Sequence, residues 1–180
     1  MEHEHEPICE GAVYRHVRGV ITAAKYGGIT ADLRSLSRQA SLAVCGLGGV
    51  HAVTWVPTHI HRWRRFGVDH AQVIGREVAR WLGLPLVGTL RRMDHAQQVS
   101  RGLDERLQGP AFTPLSARTV PKRVLLVDDV VTTGATIHAA RAALHAIGAD
   151  WVPVLTCAHS VRRKETGGSV IYSKEMTYWR

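Results

Sequence analysis

Cysteine is scarce in this chain of 180 residues, and the three present, Cys9, Cys45 and Cys157, lie far apart. That spacing excludes a disulfide framework and a zinc module built on CxxC pairs. The longest aliphatic run is residues 124–127, far short of the roughly 20 residues that span a bilayer. Residues 1–11 show no basic start followed by an apolar stretch, so no secretory signal is visible. GxSxG and GxxxxGK[ST] are both missing, which removes the serine-hydrolase elbow and the P-loop. HExxH and HxxxH spacings are missing too, so the eleven histidines, among them His59, His61, His138 and His145, read as surface or loop residues rather than a transition-metal site. These absences predict a cytoplasmic protein with no membrane segment.

What is present is an ordinary globular balance: 45% hydrophobic and 21% charged residues, enough for one domain and too apolar for wholesale disorder. Lysine and arginine outnumber the acids 23 to 15, a net charge of +8 with histidine neutral. Such an excess favours an anionic partner: nucleic acid, membrane phosphate or a phosphorylated small molecule. Charge alone does not choose among them, and surplus arginine also serves as solvated surface.

Residues 1–7 alternate Glu and His and read as part of a flexible leader, 1–11, ahead of a domain at 12–159 and a basic extension at 160–180. Alternating His and Glu can chelate metal, but nothing nearby completes a site. Val13, Val17, Val20, Ile21 and Ala24 recur at helical spacing, with a stop at Gly27-Gly28. A second helix is predicted from Thr30 as N-cap, burying Leu33, Leu36, Ala40 and Val44. Gly46, Gly48 and Gly49 form a connector rather than GxGxxG, because His51 stands where the third glycine belongs. Strands are predicted over 52–56, 86–90, 123–127 and 151–156, and helices over 69–83 and 134–148. Residues 91–119 are polar and long, with one turn near 104–107, the kind of stretch that carries function or moves. The alternation of strands and helices predicts a single-domain α/β fold with a parallel sheet.

Residues 124–136, Val-Leu-Leu-Val-Asp-Asp-Val-Val-Thr-Thr-Gly-Ala-Thr, carry the chemistry. They read as a buried strand, two adjacent carboxylates at its end, and a Thr/Gly turn into a helix. Open parallel sheets bind ligands at the carboxyl ends of their strands. Thr132, Thr133, Gly134, Ala135 and Thr136 offer successive N–H groups and hydroxyls at a helix N-terminus, which suits a phosphate. Asp128 and Asp129 would repel that phosphate, but they suit neighbouring sugar hydroxyls or a magnesium ion. An acidic pair one turn before a phosphate cradle describes a ribose 5-phosphate site. Taken singly, an Asp-Asp pair is as well explained by a solvated loop, and a threonine by a helix cap.

The same thirteen residues resemble the phosphoribosyl-pyrophosphate (PRPP) motif of type I phosphoribosyltransferases: apolar residues, two acids, then Thr-Thr-Gly-x-Thr. The chain further resembles the ComF family of competence-associated, phosphoribosyltransferase-like proteins, over residues 14–159. That resemblance rests on Lys25-Tyr26-Gly27-Gly28, on Val56-Pro57 before an arginine cluster, and on Gln98 before Phe112. It implies the parallel-sheet type I phosphoribosyltransferase fold. It also implies transfer of a 5-phosphoribosyl group with release of magnesium pyrophosphate. Asp128 and Asp129 would take the catalytic place at the ribose hydroxyls and meet Mg²⁺ through the ligand or water. Residues 132–136 would hold the 5-phosphate. Pro57, Thr58, His59 and Arg62 would face the pyrophosphate, with Arg64 and Arg65 beyond. Arg91 and Arg92 would open a mobile loop that covers the ligand. A homodimer and contact with the competence machinery are further implied partners.

Three features depart from the pattern, one being the lack of an asparagine usual a few residues before Phe112, where this chain has Leu107-Gln108-Gly109. Family members read Arg-Gly-Phe-Asn-Gln where this chain has Phe66-Gly67-Val68-Asp69-His70, and the four-cysteine zinc module of longer members is missing. The alternative is a protein that senses PRPP, or handles single-stranded DNA, without turnover. Trp63 among Arg62, Arg64 and Arg65 would then stack on a base, where the plainer reading tucks it onto the core. Cys157 follows a strand and reads as buried.

Overall fold

The structure, a computed structural model, describes residues 6–11, 19–23, 31–93, 111–115 and 120–159, the side chains at 31, 32, 62, 66 and 159 excepted. The leader before residue 6, the glycine stop at 27–28, the Thr30 cap, the turn near 104–107, Gln98 and the extension 160–180 lie outside the described residues. Of the first predicted helix, residues 19–23 are described; they are helical, and Ile21 is buried.

In chain order the elements are β1 (Ile8–Glu10), α1 (Ala31–Leu42), β2 (Ala52–Trp55), α2 (Ile60–Phe66), α3 (His70–Leu82), β3 (Leu90–Arg92), β4 (Phe112–Pro114), β5 (Val124–Val131), α4 (Ala135–Ala146) and β6 (Val154–His159). Four strands form a parallel sheet in the order β1-β6-β5-β2. β5 is central, and its residues Val124, Leu125, Leu126 and Val127 are fully buried. An unbroken aliphatic run has no polar side to give to water, so both faces must be covered. Leu125 and Val127 pack with Val53 and Leu155 against Leu33, Leu36 and Ala40 of α1 and Ile74 and Val78 of α3. Val124 and Leu126 pack with Ala52 and Val154 against Ile137, Ala140 and Leu144 of α4. The result is a three-layer α/β arrangement.

Four expectations need correction. Residues 6–11 are not a free leader. β1 pairs with β6, and the Pro7 carbonyl accepts the Val154 amide at 2.9 Å. The Glu6 carboxylate accepts the Val152 amide at 2.7 Å and pairs with Arg141 Nε at 3.2 Å and His145 Nε2 at 3.0 Å. Gly11 is required beside them, because a Cβ there would lie 2.8 Å from that of Ala40.

The strand expected over 86–90 is reduced to one bridge, Leu86 against Val53. Pairing resumes only at β3, which runs antiparallel to β4. Arg91 and Arg92 therefore stand in a paired ribbon, and the loop expected beyond them falls mostly at 94–110, outside the described residues. Leu90 and Phe112 anchor this ribbon in the α4 core, and Met93 N–H donates to Ala111 O at 2.9 Å. The arginine cluster after His59 is helical rather than loop, forming α2.

Candidate functional site

β2 ends alongside the middle of β5. Trp55 is level with Val127, and the Val56 amide donates to the Val127 carbonyl at 2.9 Å. On the other side, Asp128 is in register with Thr156 of β6. The sequence predicts a strand ending at Val127, but β5 runs on through both acids to Val131, so at the carboxyl edge of the sheet the pair lies beyond the end of β2, on a stretch still paired with β6.

Asp128 is 9% exposed, and Asp129 is half-buried. Each turns one oxygen onto the backbone ahead: Asp128 Oδ1 accepts the Asp129 amide at 2.8 Å, and Asp129 Oδ1 accepts the Val130 amide at 2.7 Å. These bonds orient both carboxylates against the backbone that follows them. Burial, followed by the charge of Asp129, pushes the Asp128 carboxyl well above the usual carboxylate range.

Beyond Val131 the chain bends through exposed Thr132 and Thr133 to Gly134, which starts α4 from the left-handed region (φ 78°). No side chain caps this helix in the usual way; Thr133 Oγ1 only approaches the Ala135 amide, at 3.5 Å. First-turn N–H groups have no partner within a helix, so an uncapped start leaves donors and a positive dipole end for an anion. Ala135 and Thr136 are half-buried at that end. The expected cradle, 132–136, is thereby brought next to Asp128 and Asp129.

The loop after β2 is also at this edge. Pro57, Thr58 and His59 are half-buried, and His59 caps α2, its Nδ1 accepting the His61 amide at 3.3 Å. Arg62 is on α2, and Arg64 and Arg65 are exposed in its last turn. Trp63 is 49% exposed and does not tuck onto the core. Arg91 is exposed on the ribbon, and the Arg92 guanidinium lies 5.9 Å from the Phe112 ring centre.

Asp69, which the sequence offered as a helix start and as part of the departure at 66–70, stands at this edge too. Its Oδ1 accepts the Gln72 amide at 3.4 Å, capping α3, and its Oδ2 accepts the Thr58 amide at 3.1 Å, tying down the loop after β2. Burial raises its carboxyl despite those two bonds and one from the Trp55 side chain, and the charge of Asp129 adds to the rise. The capping pattern was a readable signal for the helix. The proximity of Asp129 was not, because it depends on the pairing of β2 with β5.

Cys157 is fully buried behind the acid pair, its thiol pushed up to about 12 by burial and then by the Asp129 charge. Among the described residues no helix is long and apolar enough to cross a membrane.

Residues 70–177 match the phosphoribosyl transferase domain family. The chain is 32% identical over 135 residues to Competence protein F of Haemophilus influenzae. That match covers 67% of this chain and 58% of the relative, so the chain spans little more than half the length of that protein. Among solved structures, it is similar to a glutamine PRPP amidotransferase from B. subtilis, complexed with ADP and GMP (TM-score 0.53, 20% identity, 72% of this chain and 27% of that one). It is also similar to a hypoxanthine-guanine phosphoribosyltransferase from Bacillus anthracis (TM-score 0.52, 13% identity, 78% of this chain and 76% of that one). At these identities the two structures speak for the fold alone.

Proposed function

Because the chain belongs to the phosphoribosyl transferase domain family and has the type I phosphoribosyltransferase fold, we propose that it binds PRPP at residues 128–136 and transfers the 5-phosphoribosyl group with release of pyrophosphate. The observation that carries this reading is the conjunction at one sheet edge of an oriented acid pair with an uncapped helix start. In this reading, the amides and hydroxyls of residues 132–136 hold the 5-phosphate, and Asp128 and Asp129 accept the ribose hydroxyls. Fixing the sugar at both ends presents its anomeric carbon in one orientation, which is the larger part of what a protein contributes to such a displacement.

The donor set fits a magnesium ion that arrives with its ligand. Asp129 offers hard carboxylate oxygen, and no cluster of three or more candidate ligand residues accompanies it among the described residues. Most of a six-oxygen shell would then come from water and phosphate. Bound there, magnesium would neutralise charge on the departing pyrophosphate.

Calorimetry with PRPP and Mg²⁺, paired with pyrophosphate release across a panel of nucleobases, tests the proposal. Saturable binding and base-dependent release are expected; no heat of binding at millimolar PRPP removes it. A second reading, single-stranded DNA handling without turnover, is favoured by one observation: Trp63 stands exposed beside exposed Arg64 and Arg65. Stacking with phosphate contacts would give DNA affinity that falls steeply with salt, and a flat salt dependence discards it.

A further inference from the structure

If the 5-phosphate lies at the start of α4, the loop after β2 takes the opposite, anomeric end of the ligand, and these two ends are built differently. At the α4 end the helix starts without a side-chain cap, and the Ala135 amide has only a long contact with Thr133 Oγ1, at 3.5 Å. At the β2 end the corresponding donor is already taken: the Thr58 amide points into Asp69 Oδ2 at 3.1 Å. The acceptor that takes it is itself an acid, held by the Gln72 amide as well and close enough to Asp129 to feel its charge. An anion approaching this loop meets a spent amide and a carboxylate. Like charges brought together in a partly desolvated site are a strong source of discrimination.

We propose that Asp69 is a specificity-determining residue that weakens the pyrophosphate end of the site relative to the 5-phosphate end. This rests on the ribose 5-phosphate reading above. A sugar phosphate whose anomeric carbon carries no pyrophosphate escapes the penalty, whereas PRPP incurs it. The capping duty of Asp69 does not require the charge, because Asn and Ser cap helices about as well as Asp. A neutral cap cannot hold both amides with two anionic oxygens, so it also loosens the grip on Thr58.

The test is calorimetry of the full chain with Mg²⁺ and two ligands, ribose 5-phosphate and PRPP, on the parent, Asp69→Asn and Asp69→Ser. Both substitutions should tighten PRPP binding by roughly tenfold or more, the scale expected of one removed like-charge contact. Ribose 5-phosphate affinity should stay within about twofold of the parent, since no charge at its anomeric end meets the loop. Unchanged or weaker PRPP binding in the variants overturns the proposal. So does an equal change for both ligands, or loss of folding in both variants, since either makes Asp69 purely structural. If the parent binds neither ligand, the ribose 5-phosphate reading fails and this inference with it. If ribose 5-phosphate binds and only the PRPP ratio refuses to move, the inference alone fails.

Discussion

Replacing Asp128 with Asn should stabilise the fold and weaken the ligand, two effects of opposite sign from one change. The carboxyl is 9% exposed, and its deprotonation is opposed by burial and by Asp129. Asn keeps an acceptor for the Asp129 amide, 2.8 Å from Oδ1, and removes the charge. Desolvation of an incompletely satisfied buried polar group costs on the order of 1–3 kcal/mol. Asp128→Asn should therefore gain about that much near neutral pH. Each kcal/mol corresponds to about 2–4 °C in Tm for a domain of this size.

The pH dependence has a fixed direction. A carboxyl whose folded pKa is raised contributes stability that is complete below the unfolded value, about 3.9, and is lost as pH rises through the folded value. Parent and variant should therefore melt together at the lowest pH where both fold and separate toward neutrality, the variant melting higher. Hydrogen bonds to a charged acceptor are worth about 1.5–3 kcal/mol, so PRPP affinity should fall about 10- to 150-fold. Differential scanning fluorimetry across pH and calorimetry with PRPP and Mg²⁺ read the two halves. A constant Tm difference at all pH values refutes the electrostatic reasoning, and equal PRPP affinity refutes the placement of the ribose.

Three further outcomes are expected. Gly134→Ala should lower Tm by about 2–8 °C, because a left-handed backbone costs a residue with a Cβ about 1–2 kcal/mol. The nearest side-chain atom, on His138, would be 3.6 Å from the new Cβ, so crowding adds nothing and a larger loss would contradict this account. Glu6→Ala removes the acceptor shared by the Val152 amide, Arg141 and His145, and should cost about 1–3 kcal/mol. Hydrogen exchange at the Val154 amide, which donates to Pro7, should speed up, and unchanged protection there means β1 is held by something else. Under native conditions at pH 8, iodoacetamide should modify exposed Cys45 and spare Cys157, whose buried thiol is pushed up to about 12; mass spectrometry showing Cys157 labelled as fast as Cys45 contradicts that burial.

The parts legible in the sequence are those whose signals are local. α3 was bounded to the residue by Asp69 and Gly83, since a cap and a left-handed stop are chemistries of adjacent residues. The strand, turn and helix of residues 124–136 were legible for the same reason, their signals all being local. α2 was missed because its seven residues are mostly basic and aromatic, without an apolar stripe, although His59 and Gly67 bound it as clearly as α3 is bounded. β1 was missed because three residues make no pattern and their reason to be a strand, the Glu6 clamp onto residues 141–152, is supplied from the far end of the chain. The β3–β4 ribbon likewise depends on Leu90 and Phe112 meeting over α4, and neither segment alone has strand length.

Asp69 shows why a site read from one motif is incomplete. The motif fixes what stands at the end of β5, but a ligand that bridges two strand ends is also shaped by whatever closes the neighbouring loop. Here β2 and β5 pair in parallel register up to Trp55 and Val127, so the loops that leave them must share one edge. The Thr58 amide held by Asp69 in one loop and the uncapped start of α4 beyond the other therefore stand at one sheet edge, though their residues lie far apart in the chain. The run 124–127 is packed on both faces, and a slip of β5 that drew the next residue inward would carry Asp128 into the core. Asp128 is still buried under that cover and Asp129 is half-buried, so the cost of keeping charge at this edge falls chiefly on Asp128.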